Sequence, residues 1–245
     1  MTISYFAFFE APDATHISSK DLAHPAAVLS GLPRLIKALI FTPPQTITEH
    51  FFMDDPPSPT FGFQLHFSKI EDLEDVLRRD GPLQALARPV ALPSLRDARV
   101  SQQAMIARAF PVDDPRLQTE TGALPCSYLV HYPGAARDLN AWHAYYLDHH
   151  PQIMRTFPGI RAIEIYTRLD WCSFMPWERV DYMQRNKLVF DHPAALSHAM
   201  RSPTMAKMRA DYAQFPEFTG GNIHYPVLTR ELAVGAPARL SLQAS

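Results

Sequence analysis

The residues best suited to acid–base chemistry in this sequence are its histidines. There are 11 of them in 245 residues. An imidazole titrates near pH 6.5 when unperturbed, so it can take or give a proton close to neutrality. His131 and His224 fall in segments of strand composition. If those strands are neighbours, the two rings can meet on one face and orient a substrate between them. The ordinary alternative is a partly buried histidine satisfied by backbone. Tyr128, Tyr132, Tyr166 and Tyr182 could steer a carbonyl or phenol oxygen by hydrogen bonding. They could equally be core residues with a polar handle. Trp171, Phe174 and Trp177 share one long segment between two strands. Three large aromatics there argue against disorder and for a packed cover, over a substrate pocket or at a dimer contact. Phe51-Phe52-Met53 holds a similar place in the first half.

Other chemistries lack their residues. No HExxH, no CxxC and no two-histidine-one-carboxylate spacing marks a metal site, and no CxxCH marks a haem. Glycine is scarce, at 9 residues, and no phosphate-binding glycine loop is present. The expectation is therefore no metal and no cofactor. A net charge of −2 gives no basic surface for nucleic acid. No apolar run approaches the roughly 20 residues of a membrane span. The opening Met1 to Glu10 reads as a strand rather than a leader. With only Cys126 and Cys172, a disulfide framework is not expected, and a reducing cytoplasm is the expected setting. Cys172 has nothing nearby to activate its thiol and reads as structural.

The elements that must position these residues are clearest in the second half. Cys126 to Tyr132 reads as a strand. Asp138 is a candidate N-cap for a helix from Leu139 to Phe157. Trp142, Tyr146, His149 and Ile153 recur at helical spacing along one face of it. Pro151 predicts a kink or a break. Pro158-Gly159 ends the helix, and Ile160 to Arg168 alternates as a strand. Asn186 to Phe190 is a third strand, and Pro193 opens a second helix. Ser202-Pro203 restarts a helical stretch, with serine as N-cap and proline at N1. Asn222 to Leu228 is a fourth strand. The order is β-α-β-β-α-β, the split βαβ pattern.

The first half follows the same order. Ile3–Phe9 is a strand, His24–Leu32 a short helix, and Leu35–Phe41 and Phe61–Phe67 are strands. Ile70–Arg79 is a helix and Gln103–Phe110 a strand. Landmarks recur in register. His24-Pro25 matches His150-Pro151, and Pro33 matches Pro158. Phe110-Pro111-Val112 matches Tyr225-Pro226-Val227. The first half has 13 residues from Pro12 to Pro25, where the second has 18 from Pro133 to Pro151, so it lacks most of the aromatic helix. The fold class expected is α+β: two tandem ferredoxin-like units, 1–112 and 126–235, packing sheet to sheet as an intramolecular α/β barrel. A linker spans 113–125 and a tail 236–245.

The run Leu139-x-x-Trp142-x-x-Tyr145-Tyr146-x-x-His149-His150-Pro151, with Phe157-Pro158-Gly159-Ile160 and the later Ser202-Pro203, Met208, Asp211 and Phe215, resembles the EthD family. The likeness covers about residues 126–227. It implies a ferredoxin-like domain whose sheets pair into an α/β barrel, with a pocket inside the barrel or between sheet and helices. It implies relatives tied to degradation of ethers and aromatics, or to polyketide and lactone chemistry. It makes His149 the helix histidine that would move a proton, and Asp211 an acidic partner that could orient a histidine or pair with Arg209 or Arg201. His150, matched by His24, would cap the helix end.

The reading that follows is a cofactor-independent enzyme acting on a small apolar oxygenated substrate by proton transfer. His149, His131 and His224 would be its acid–base groups. Tyr128, Trp142, Tyr146, Tyr166, Trp171 and Trp177 would line the substrate. The alternative is a non-catalytic protein of a degradative or biosynthetic pathway that binds such a ligand or assembles with a partner. The partner expected is a small molecule, and a further homodimer is compatible with this arrangement.

Overall fold

Long apolar strands that bury both faces need cover on both sides. Phe61–Phe67 and Cys126–Tyr132 are buried along their whole length, and the fold supplies that cover with helices outside and a packed lumen inside. The structure is a computed structural model, which describes residues 2–11, 17–44, 55–88 and 92–235. The first half contributes β1 (Thr2–Glu10), α1 (Ser19–Ser30), β2 (Lys37–Thr42), β3 (Phe61–Phe67), α2 (Ile70–Val76) and β4 (Arg99–Phe110). The second half contributes β5 (Cys126–Tyr132), α3 (Leu139–Met154), β6 (Ile160–Arg168), a two-residue β7 (Glu178–Arg179), β8 (Gln184–Phe190), α4 (Pro193–Met200), α5 (Pro203–Tyr212) and β9 (Ile223–Leu232).

The sheet runs β1-β3-β2-β9-β5-β8-β6-β4, and β1 also pairs with β4, so eight strands close into an antiparallel barrel. Each half keeps the ferredoxin-like order, with its first and third strands central. The halves join at their edges, β2 on β9 and β4 on β6. Closure leaves no unpaired barrel edge. The expected α+β class and barrel of two ferredoxin-like units are what the structure shows. β7, which lies beside β4 in parallel, was not legible beforehand.

Strand alternation divides the interior into three cores. Tyr5, Phe61, Phe63, Leu65 and Phe67 face the first-half helices. Cys126, Tyr128, Val130, Tyr132, Leu188 and Phe190 face the second-half helices. Phe6, Phe8, Phe41, Met105, Leu129, Tyr166 and Tyr225 pack in the lumen.

Local signals set the helices. The Asp138 side chain accepts from Ala141 N at 3.0 Å, as a cap should. Ser18 does the same for Asp21, so α1 begins at Ser19, five residues before the expected His24. α3 does not break at Pro151; it runs on to Met154. The proline sits one turn from the C-terminus, where a single missing N–H costs the ladder little.

The two halves exchange loops. After β6, Trp171 and Met175 bury themselves in the first-half core, with Trp171 edge-on to Tyr5 at 5.8 Å. Trp177 packs edge-on against Phe9 at 5.4 Å. In the other direction, the segment before β3 reaches the second half. Ser58 Oγ donates to Pro226 O at 2.9 Å, and Asp55 meets His224. Residues 51–53, proposed as a counterpart aromatic cover, lie outside the described residues. The 113–125 segment is pinned to the second half by Arg161, which donates to Asp191 and Asp114 at 2.8 and 2.7 Å.

Candidate active site

Between the second-half sheet and its helices lies a cavity of about 150 Å³. Its floor is Tyr128, Val130 and Tyr132 of β5, Asn186 and Leu188 of β8, and Asn222 and His224 at β9. Its roof is α3, α4 and α5, which bring His150, Met154, Met200, Met205, Met208 and Tyr212. Four methionines make an adaptable, polarisable lining.

The polar centre of the roof is a histidine–carboxylate pair. His150 Nδ1 and Asp211 Oδ2 are 2.6 Å apart, with side chains only 5% and 8% exposed. Tyr145 donates to the other Asp211 oxygen at 3.1 Å. A carboxylate that accepts from both groups fixes the tautomer, with the proton on Nδ1. Burial lowers the His150 pKa, although Asp211 works in the other direction. The ring is therefore neutral near pH 7, and its Nε2 lone pair is the group able to take a proton. Among the described residues no hydrogen bond engages Nε2. Asp211 thus meets His150 and Tyr145, not Arg209 or Arg201.

On the floor, His224 Nδ1 lies 2.9 Å from Asp55 Oδ2, and Asp55 Oδ1 accepts from the His224 backbone N–H at 3.2 Å. The His224 ring stacks on Tyr128 at 5.5 Å and 15°. The Tyr128 hydroxyl is buried with no hydrogen-bond partner among the described residues. Asn186 of the floor donates to Tyr146 at 2.6 Å.

The structure brings His224, Tyr128 and Tyr132 to the cavity and leaves His149, His131, Tyr166, Trp142, Tyr146, Trp171 and Trp177 out of its lining. His149 is exposed; its ring bonds Tyr145 O at 2.8 Å and stacks on the Tyr145 ring at 4.3 Å. The cavity histidine is His150, one residue on, whose i+4 spacing from Tyr146 keeps it on the buried stripe. His131 and His224 do not share a face. Val130 is the residue opposite His224, and cross-strand partners point the same way, so His131 faces the lumen. There it contacts Arg185 at 3.0 Å and Phe8, Tyr182 and Tyr225. Tyr166 is also in the lumen, donating to Glu164 at 2.5 Å. Trp142 and Tyr146 are core under α3, stacked at 4.9 Å. Trp171 and Trp177 line the first-half core, because their loop crosses over. Asp55, Asn186, Asn222 and the methionines were missed. The HP repeat had marked His150 as a helix end, and nothing local ties Asp55 to a histidine 169 positions away.

Among the described residues no group of histidines, cysteines and carboxylates could hold a metal ion. No helix there is long and apolar enough to cross a membrane.

No family model matches the sequence. No curated protein sequence matches it either. Solved structures do match in fold. An anthrone oxidase-like protein superposes with a TM-score of 0.63 at 10% identity, over 98% of this chain and 97% of that one. A protein described provisionally as a monooxygenase, from Fusobacterium nucleatum, gives 0.56 at 5% identity, over 94% and 93%. An EthD family protein from Bacillus halodurans gives 0.33 at 18% identity, over 40% of this chain and 96% of that one, which is too loose to argue from. At these identities the likeness establishes the ferredoxin-like barrel alone.

Proposed function

We propose that this protein is an enzyme that moves a proton on a small, apolar, oxygenated substrate held in the second-half cavity, with His150 as general base and Asp211 as the group that orients it. The observation that carries the reading is the buried His150–Asp211 pair at 2.6 Å on the wall of a methionine-lined cavity. Proton abstraction needs a base whose lone pair faces the substrate and a carboxylate that steadies the imidazolium as it forms. Both are in place. A largely apolar lining strengthens each polar contact made within it. The chemistry asks nothing of a cofactor. His224, held by Asp55, is a second proton-handling group on the floor. Names of fold neighbours, an anthrone oxidase-like protein among them, accord with an oxygenated aromatic substrate.

The test is turnover and solvent-deuterium incorporation across a panel of lactones, cyclic ketones and phenols. Wild type and His149→Gln should exchange the same compounds. His150→Gln should lose about 10²–10⁴-fold in rate. Equal rates in wild type and His150→Gln, or a loss confined to His149→Gln, would sink the assignment. The second reading is a binding protein without chemistry, favoured by the methionine lining. It predicts that ligands bind the wild type and are recovered unchanged.

A further inference from the structure

Two groups of α3 share the Asp211 carboxylate, and only one of them belongs to the cavity. His150 Nδ1 lies 2.6 Å from Oδ2, and the Tyr145 hydroxyl donates to Oδ1 at 3.1 Å. His150 lines the cavity, whereas Tyr145 is half-buried on the flank of the helix. The Tyr145 ring is nonetheless held on two sides. His149, one turn on, stacks on it at 4.3 Å and 19°, and Phe215 meets it edge-on at 5.9 Å. Phe215 also meets the His150 ring edge-on, at 5.0 Å. One aromatic neighbour therefore steadies both donors against one carboxylate.

Two donors on one carboxylate act against each other. A carboxylate alone favours the charged form of an imidazole beside it. The positive end of the Tyr145 O–H dipole lies against that same carboxylate and opposes a positive charge on the ring. Desolvation first, then the bond to Asp211, push the Tyr145 pKa up, so its hydroxyl stays a donor.

The other titratable groups around His150 are Tyr146 on α3, Arg209 and Tyr212 on α5, Tyr128 and Tyr132 on β5, and His224 on β9. Burial keeps all four tyrosines protonated. Among the described residues, Asp211 is the side chain that hydrogen-bonds the His150 ring.

We propose that Tyr145 is a positioning residue for the base: by donating to Asp211 it shares the carboxylate with His150, and so holds the ring in the neutral form that can take a proton. The inference rests on the reading of His150 as a base. It adds a residue outside the cavity that sets the pH range in which the base works.

The experiment is a pH titration of the histidine rings of the full chain by two-bond proton–nitrogen NMR, with His150→Gln used to assign the His150 signals. Tyr145→Phe should move the His150 titration to higher pH, with the neutral ring still protonated on Nδ1. Replacing Tyr145 with 3-fluorotyrosine, a stronger donor of nearly the same shape, should move it to lower pH. The acid limb of the exchange-rate profile should follow in each variant. A tyrosine that merely packs would leave both where they are. If Tyr145→Phe does not fold, the fluorotyrosine variant, which keeps the ring and its hydroxyl, decides alone. A His150 titration that stays put, or that moves the same way in both variants, would overturn the inference and leave His150 as base untouched. If His150→Gln exchanges substrate as fast as wild type, the base reading falls and the inference with it.

Discussion

Asp55, just ahead of β3 in the first half, holds the ring of His224 in the second at 2.9 Å and caps the same residue's backbone N–H at 3.2 Å. One carboxylate from one unit therefore fixes a histidine on the cavity floor of the other. Asp55→Ala would remove the acceptor from two largely buried donors. The expected loss is about 1–3 kcal/mol of stability, read as a lower urea midpoint with an unchanged slope. A midpoint equal to wild type would show that His224 is held by other contacts.

Acid should destabilise the protein from an unusually high pH. His66 is buried on the lumen side with Ser4 at 3.3 Å. Burial first, and Lys187 next, push it down from 6.5 to about 3. A group whose folded pKa lies below its unfolded one binds more protons unfolded in the window between. Its contribution to stability is complete above 6.5 and is lost as pH falls toward 3. His131, His143 and His150 shift the same way through burial. Glu164 acts lower. Burial pushes it up, but Lys187 outweighs that and brings it from 4.5 to about 2, so its contribution fades across that window. Urea midpoints should begin to fall below about pH 6.5, and His66→Gln should flatten the slope. A profile level down to about pH 5 would contradict this.

Two buried cations in the lumen should respond oppositely to the same substitution. Lys187 pairs with Glu164 at 2.5 Å and donates to Gln64 at 2.8 Å. Arg185 meets no carboxylate among the described residues. It donates to Gln103 at 3.3 Å, contacts His131, and lies over the Tyr182, Phe8 and Phe6 rings. Burial pushes its pKa down to about 10. Lys187→Met strands Glu164, for a loss toward the lower end of about 3–5 kcal/mol, because that carboxylate keeps some solvent. Arg185→Met removes a desolvated charge and should be neutral or stabilising. Thermal melts of both variants test the contrast, and a large loss in Arg185→Met would mean an anion meets it.

Gly134→Ala should damage the rim near Asn222. A Cβ at Gly134 would lie 1.7 Å from the Thr219 carbonyl oxygen, which is backbone and cannot swing away. Ala136 and Phe218 bridge the same two segments. The expected cost is about 1–3 kcal/mol, visible as a lower melting temperature. Unchanged melting would mean the two segments separate easily.

The order of elements was legible because it rests on local chemistry. Asp138 capped its helix where it stood, Ser202-Pro203 opened α5, strand composition marked β5 and alternation marked β6. The site was harder, because its phase and its partners are not local. The run Trp142, Tyr146, His149, Ile153 has good helical spacing, yet the buried stripe is Trp142, Tyr146, His150, Met154. A one-residue slip decides which histidine is dry. What settles it is Asp211, which makes a buried imidazole tolerable from 61 positions away. His131 was misplaced by register, which composition cannot supply. Trp171 and Trp177 were misplaced because a loop that covers a core need not cover its own.

That crossing of loops has an outcome for asymmetry. Two identical chains forming such a barrel would be bound to place the same side chains over both sheets. A single chain carrying both halves is free of that obligation. Here the space over one sheet is plugged by Trp171 and Met175, while the other stays hollow and is furnished with His150 and Tyr128. The plugged side can serve as ballast for the fold, which leaves the hollow side to vary its lining without the whole barrel having to vary with it.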